Sequence, residues 1–306
     1  YCNGTLDQTA DSLILKLYSD GKLAETLEQK PTPEKTYAFT AKLKPGLIKY
    51  RVELVAKAGG AETILHQADN LVCGDAYLID GQSNALATDT HEESPAVTNE
   101  WIRSYGGQAG RGDASGWVSE RFSDAEGGVP AKRTNLWCSP VWKAQKGEMA
   151  QLGWWGMELA KNLVASQKVP ICIINAAVGG TRIDEHQRNE DNHTDLDTMY
   201  GRMLWRVENA RLTHGIRAAL WHQGENDQGA AGPDGGYGWE SYQRYFVEMS
   251  AAWKQDFPNI EHYYVYQIWP NSCSMGAGNG NMLREVQRTL PDLYSNMDVL
   301  STLGIE

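Results

Sequence analysis

The chain has 306 residues, enough for two domains or one large one with generous loops, which excludes a peptide module or a disulfide mini-protein. Its 28 basic and 39 acidic residues leave a net charge of −11, and Lys and Arg form no block, so a phosphate backbone would meet repulsion and nucleic acid is excluded as a partner. Hydrophobic residues make up 41%, and no apolar run approaches the roughly 18 residues a membrane span needs, so no membrane partner is expected.

The first 70 residues alternate apolar and polar with period two: Leu13, Leu15 and Leu17, then Tyr37, Phe39, Ala41 and Leu43, then Tyr50, Val52 and Leu54. Turn chemistry separates these runs at Asp20-Gly21, Pro31 to Pro33, Pro45-Gly46 and Gly59-Gly60. The pattern predicts a small antiparallel β-sandwich over residues 1–70. Its Pro-Gly-x-x-x-Tyr stretch ending at Tyr50 resembles fibronectin type III or immunoglobulin-like modules, with too few strands for a complete one, and the module reads as cut on its N-terminal side. The five cysteines, Cys2, Cys73, Cys138, Cys172 and Cys273, form no CxxC pair and are too few for a disulfide scaffold. Because the first residue is Tyr1, a signal peptide is expected to lie outside the sequence if one exists.

From Leu71 onward β-runs alternate with helical periodicity. The predicted strands are Leu71 to Ile79, Val169 to Ala176, Arg217 to His222, His262 to Ile268 and Met297 to Ser301. Between them, Met199, Met203, Leu204 and Val207 share one helical face. Tyr242, Tyr245, Phe246, Met249 and Trp253 share another, and the segments near Met157 to Val164 and Met282 to Leu290 are similar. Strands alternating with helices predict an α/β domain over residues 71–306, a five-stranded parallel, doubly wound sheet of flavodoxin-like type. The polar stretch from Thr88 to Lys146 has no period and reads as a long functional loop.

In a doubly wound sheet, ligands bind beyond the carboxyl ends of the strands. After the first run comes Asp80-Gly81-Gln82-Ser83-Asn84, a serine on a tight strand-to-helix turn. After the second comes Val178-Gly179-Gly180-Thr181, where glycines admit a ligand close to backbone amides. After the third comes Trp221-His222-Gln223-Gly224-Glu225-Asn226-Asp227. One nucleophile and several hydrogen-bond donors thus share one predicted crevice.

Order, spacing and placement of these blocks resemble the SGNH hydrolase superfamily, and within it the sialate O-acetylesterase-like and acetylxylan esterase-like families. The matching segments are Gly-Asp-x-x-Leu-x-x-Gly-Gln-Ser-Asn from Gly74 to Asn84, Ile-x-Asn-x-x-x-Gly-Gly-Thr from Ile173 to Thr181, and Trp-x-Gln-Gly-Glu from Trp221 to Glu225. Leu283 to Gln287 resembles a further family segment. The resemblance implies a serine esterase that removes O-acetyl groups from a carbohydrate through an acyl-enzyme, without metal or cofactor. It implies Ser83 as nucleophile and an oxyanion hole of the Ser83 and Gly180 amides with a side-chain amide. That side chain is Gln223 by the narrower family pattern and Asn226 by the superfamily's Gly-x-Asn-Asp pattern; both stay open. The resemblance also favours a secreted or periplasmic setting, and it takes the general base from an Asp-x-x-His segment after the last strand, expected beyond Glu306. Glu225 and Arg284 are expected to form a buried ion pair that supports the third block.

Other features take plainer readings. His222 reads as a strand-end residue, and His186 and His193 as residues of a polar loop, rather than as the base. Arg111-Gly112-Asp113 is a chance tripeptide, and the run Asp191, His193, Asp195, Asp197 lacks the glycine and glutamate of a calcium loop. Trp101, Trp117, Trp137, Trp142 and Trp239 are candidates for stacking on sugar rings. A glycan-binding protein without turnover is the alternative function on the same fold, and a lipase-like member of the superfamily a second.

Overall fold

The structure, a computed structural model, describes residues 1–89, 99–106, 136–144, 150–229, 238–270 and 280–304. The chain divides into two compact units, one of residues 1–74 with 167–170, the other of residues 75–166 and 171–306.

In the first unit, β2 (Ser12–Ser19), β3 (Lys22–Gln29), β5 (Gly46–Ala58) and β6 (Ala61–Cys73) form an antiparallel sheet in the order β3-β2-β5-β6. A two-stranded sheet pairs β1 (Cys2–Thr5) with β4 (Thr36–Phe39). The two hairpins of the larger sheet turn at Asp20-Gly21 and Gly59-Gly60. All four residues have positive φ, the mirror-image turn whose twist matches that of paired strands. Leu13, Leu15, Leu54 and Ala56 from the larger sheet bury against Leu6 and Phe39, so the period-two residues close one small core. Tyr50 is buried, and its hydroxyl donates to Lys44 O at 3.0 Å and accepts from Lys44 N at 3.1 Å, which pins the loop that enters β5.

The second unit is built on seven strands in the order β13-β12-β11-β7-β10-β8-β9. These are β7 (Asp75–Gly81), β8 (Ile102–Tyr105), β9 (Trp137–Cys138), β10 (Ile171–Asn175), β11 (Ile216–His222), β12 (His262–Tyr266) and β13 (Met297–Leu300). All neighbours are parallel except β8 and β9. The five predicted runs occupy contiguous places in this sheet, in the order first-to-second reversal that flavodoxin-like topology requires.

Two expectations need correction. Among the described residues the sheet has seven strands rather than five: β8 and β9 lie inside the stretch read as loop, and at four and two residues they are too short for any period to show. The predicted run from Leu71 is two strands, because β6 ends at Cys73 in the first unit and β7 begins at Asp75 in the second.

Helices cover both faces of the sheet. On one face α3 (Met199–Asn209), α4 (Trp239–Asp256) and α5 (Gly280–Thr289) bury Met203, Val207, Phe246, Trp253 and Leu283 against alternate strand residues such as Leu78, Ile174 and Val265. Gly156 of α2 (Trp154–Gln167) meets Ile79, which points to the opposite face. Trp221 anchors the larger core: it is fully buried, and Trp253 and Phe246 lie edge-on to it at 5.8 and 6.3 Å. Its indole N–H donates to the Tyr242 hydroxyl at 2.9 Å, which donates in turn to Gln223 O at 2.8 Å. The core thereby fixes the backbone just beyond β11.

Candidate active site

The carboxyl ends of β7, β10 and β11 bring the three sequence blocks together. Gly81 closes β7 at φ +134, and a Cβ there would sit 2.2 Å from His222 O, so only glycine lets the two strand ends run this close. Gln82 N then donates to His222 O at 3.0 Å, and the chain turns into the four-residue helix α1 (Ser83–Leu86). Ser83 is its first residue and is half-buried, and Asn84 beside it is exposed.

The second block is held against this turn by its backbone: Ala176 N donates to Ile79 O at 2.8 Å and Val178 N to Gly81 O at 2.9 Å. Asn175 accounts for the asparagine of the block. Its side-chain amide donates to Ala85 O and Leu152 O, at 3.1 and 2.8 Å, and so seats α1 on the end of β10. Gly180 follows at φ +70, with open space where a side chain would be.

The third block supplies most of the polar interior. Gln223 is fully buried, and its Nε2 donates to Gln82 Oε1 at 3.1 Å, Thr181 O at 2.9 Å and Asp227 Oδ2 at 2.5 Å. Asn226 is only half-buried. Its Oδ1 accepts from Gln82 Nε2 at 3.1 Å, and its Nδ2 donates to Gly180 O at 3.2 Å. Asn226 therefore ties Gly180 to Gln82, the residue before Ser83, while the Gln223 amide points into the protein.

Glu225 is buried, and its Oε1 accepts from Asn84 Nδ2 at 2.5 Å. The expected Glu225 and Arg284 ion pair does not form. The Arg284 guanidinium donates to Ile268 O, to Gln267 Oε1 at 3.2 Å and to Thr302 Oγ1 at 3.4 Å. Arg284 thus spends its charge on the ends of β12 and β13, where carbonyl and hydroxyl oxygens need donors, while Asn84 serves only Oε1 of Glu225 and leaves its buried Oε2 without a hydrogen-bond partner.

Burial shapes the ionisation of this region. It pushes the Glu225 carboxyl up, and the Asp227 carboxyl up to about 7 against hydrogen bonds from Gln223 and Ile183 N that act the other way. It pushes His222 down to about 4. His222 stacks on Tyr266 with ring centroids 5.4 Å apart, its Nε2 4.0 Å from Glu225 Oε1. His186 is buried beside Thr181 and Asp80, and His193 lies near Glu190 and Asp256, away from the Ser83 turn.

Among the tryptophans singled out, Trp137 lies on β9 at 5.5 Å from Tyr105, and Trp239 opens α4 and packs on the main core. Trp101 precedes β8 and Trp142 follows β9. Trp117, Arg111-Gly112-Asp113 and Cys273 lie outside the described residues. The acidic loop bonds to itself, with Asp195 accepting from Asp197 N and Asn189 Nδ2. Trp155, which carried no sequence signal, donates to Asn84 O at 2.8 Å and packs on Tyr266 at 5.5 Å. Gln82 and Asn84 flank Ser83 in the first block, and that adjacency was the signal available for them.

Comparison with known proteins finds similar folds and one matching family. The structure is similar to XAC1771, a novel carbohydrate acetylesterase from Xanthomonas citri, with a TM-score of 0.53 at 20% identity; the match covers 97% of this chain and 63% of that one. It is similar also to a protein from Arabidopsis thaliana, with a TM-score of 0.52 at 19% identity, covering 76% of this chain and 87% of that one. The chain thus spans under two thirds of the length of the Xanthomonas protein, and at these identities the likeness establishes the fold. No curated protein matches the sequence. A family model described as carbohydrate esterase, sialic acid-specific acetylesterase matches residues 107–297, a span that holds the second and third blocks. By that match, over more than half of its length, the chain belongs to the carbohydrate esterase, sialic acid-specific acetylesterase family.

Proposed function

We propose that the protein hydrolyses O-acetyl esters of a carbohydrate, with Ser83 as nucleophile. The observation that carries this reading is the convergence of Ser83, Gly180 and Asn226 at the carboxyl ends of β7, β10 and β11, where Asn226 bonds both to Gly180 O and to Gln82 beside Ser83, in a carbohydrate esterase family fold. Ser83 Oγ attacks the acetyl carbonyl, the sugar oxygen leaves with a proton, and water releases acetate from the acyl-enzyme. The amides of Ser83 and Gly180 and the Asn226 Nδ2 receive the oxyanion, where preorganised donors act most strongly.

Asn226 is preferred to Gln223 because its amide is half-buried beside Gly180, whereas Gln223 Nε2 already serves three buried acceptors. His222 is a poor base, since burial holds it near 4 and a weak base extracts a serine proton inefficiently. The reading takes its base from the Asp-x-x-His segment that the resemblance places after the last strand. Because β13 runs parallel to β12, β11 and β7, its end at Leu300 lies at the same carboxyl end of the sheet as the Ser83 turn.

Hydrolysis of 4-nitrophenyl acetate and of acetylated sugars by the full-length protein tests this. Ser83→Ala should abolish turnover, by a factor on the order of 10⁶, and leave circular dichroism unchanged. Turnover that survives the substitution would refute Ser83 as nucleophile. Glycan binding with no turnover in the unmutated protein would favour the binding function instead.

A further inference from the structure

The hydrolytic reading leaves one buried histidine unused. His186 ends the short 3-10 turn Ile183–His186, and it is almost wholly buried. Its Nε2 lies 2.8 Å from Thr181 Oγ1 and its Nδ1 lies 3.3 Å from Asp80 Oδ1. Asp80 lies at the end of β7 and Thr181 in the loop that follows β10, the two segments that carry Ser83 and Gly180. Asp80 precedes Ser83 by three residues, and its Oδ1 also accepts from Gly81 N at 2.8 Å. Thr181 follows Gly180 directly, and its hydroxyl donates to Val178 O at 2.8 Å, so the Gly179-Gly180 turn is closed on itself. The Trp221 ring meets the imidazole edge-on at 5.1 Å and holds it from the core side.

The order of contacts, Thr to His to Asp, is that of a catalytic triad, yet all three residues are buried and the threonine hydroxyl is committed to a carbonyl. Attack on a substrate is therefore not its task. The same order makes it a strut between two loops. Gln223 braces the loops a second time, through Gln82 on one side and Thr181 O on the other. Ile183 N donates to Asp227 Oδ2 at 3.0 Å, which anchors the turn that carries His186.

We infer that His186 is a positioning residue for ester hydrolysis: by bridging Asp80 and Thr181 it sets the spacing between the Ser83 turn and the Gly180 amide. This rests on the hydrolytic reading above. A strut of this kind acts on the transition state more than on substrate binding, because the oxyanion amide matters once the carbonyl has become tetrahedral. A displacement of about 1 Å at such a site costs on the order of 10² in rate.

Steady-state hydrolysis of 4-nitrophenyl acetate by the full-length protein, with thermal unfolding in parallel, tests the inference in His186→Ala, His186→Gln and Thr181→Val. His186→Ala should lower kcat about 10- to 100-fold per folded molecule with KM within roughly twofold. His186→Gln should recover part of that loss, since its amide N–H can still donate to Thr181 Oγ1 while the Asp80 contact is lost. Thr181→Val keeps the shape and removes the hydroxyl, and should lower kcat by about three- to tenfold with KM held. An unchanged kcat in His186→Ala, or a loss that merely follows the folded fraction, would overturn the inference. Should His186→Ala fail to fold, an unchanged kcat in Thr181→Val does the same. No turnover by the unmutated protein, or turnover retained in Ser83→Ala, overturns the hydrolytic reading itself, an outcome distinct from an active enzyme indifferent to His186.

Discussion

Replacing Gln223 and Asn226 separately by alanine separates structure from catalysis in the third block. In Gln223→Ala three buried acceptors lose the same donor. Gln82 Oε1 keeps Gly224 N at 3.1 Å and Asp227 Oδ2 keeps Ile183 N at 3.0 Å, so each is left partly satisfied. Thr181 O loses its side-chain partner. One buried acceptor left unpaired costs about 1–3 kcal/mol, and the void left by the amide adds about 1 kcal/mol more. The sum is about 3 kcal/mol, which at roughly 2–4 °C per kcal/mol for a chain of this class lowers Tm by about 6–12 °C. In Asn226→Ala the side chain is half-exposed, and water replaces its bonds to Gln82 and Gly180, so Tm should move by no more than about 2 °C. Its kcat on 4-nitrophenyl acetate should nevertheless fall about 10²- to 10³-fold with KM nearly constant, as for the loss of one oxyanion donor. Thermal unfolding by circular dichroism and steady-state kinetics on the same preparations read both effects. The assignment is refuted if Asn226→Ala keeps its kcat while Gln223→Ala loses kcat without losing Tm. That pattern would make Gln223 the oxyanion donor.

Three further outcomes are expected. Burial raises the Asp227 carboxyl from 3.8 to about 7, so between those values the folded protein holds a proton the unfolded chain has released, and stability falls as pH rises through that window. The loss is on the order of 4 kcal/mol, and Asp227→Asn should flatten it; equal slopes of stability against pH in urea titrations at pH 4.5 to 8 would contradict the argument. Arg284→Met and Glu225→Gln should be additive to within about 0.5 kcal/mol in a double-mutant cycle, since their heads bind different partners; a larger coupling energy would restore the ion pair. His222→Phe keeps the ring on Tyr266 and should retain turnover to within about threefold; its loss, with the fold intact, would identify His222 as the base.

Much of this architecture was legible in the amino-acid order because its causes are local. Asp20-Gly21 and Gly59-Gly60 dictate their turns through positive φ, and Leu13, Leu15 and Leu54 find the core by period two alone. The five β-runs and the apolar faces of Met203 to Val207 and Tyr242 to Trp253 carry their own periods, and these suffice for a parallel sheet with helices on its faces. The three blocks stand at strand ends for the same reason. What only the tertiary structure decided depends on contacts distant in sequence. Strands β8 and β9 are held by neighbours, since four and two residues have no pattern of their own. Gln223 and Asn226 are three residues apart in one turn, and the motifs admit either as a donor. Gln82, fixed to them from 141 to 144 residues away, turns one amide inward and leaves the other at the crevice. Arg284 and Glu225 are opposite charges in adjoining segments, yet each found nearer partners once β12, β13 and Asn84 were in place. His186 read as a residue of a polar loop because its neighbours in sequence are polar. Its partners, Asp80 and Trp221, lie on strands far from it in sequence, and burial among them is a property of the fold.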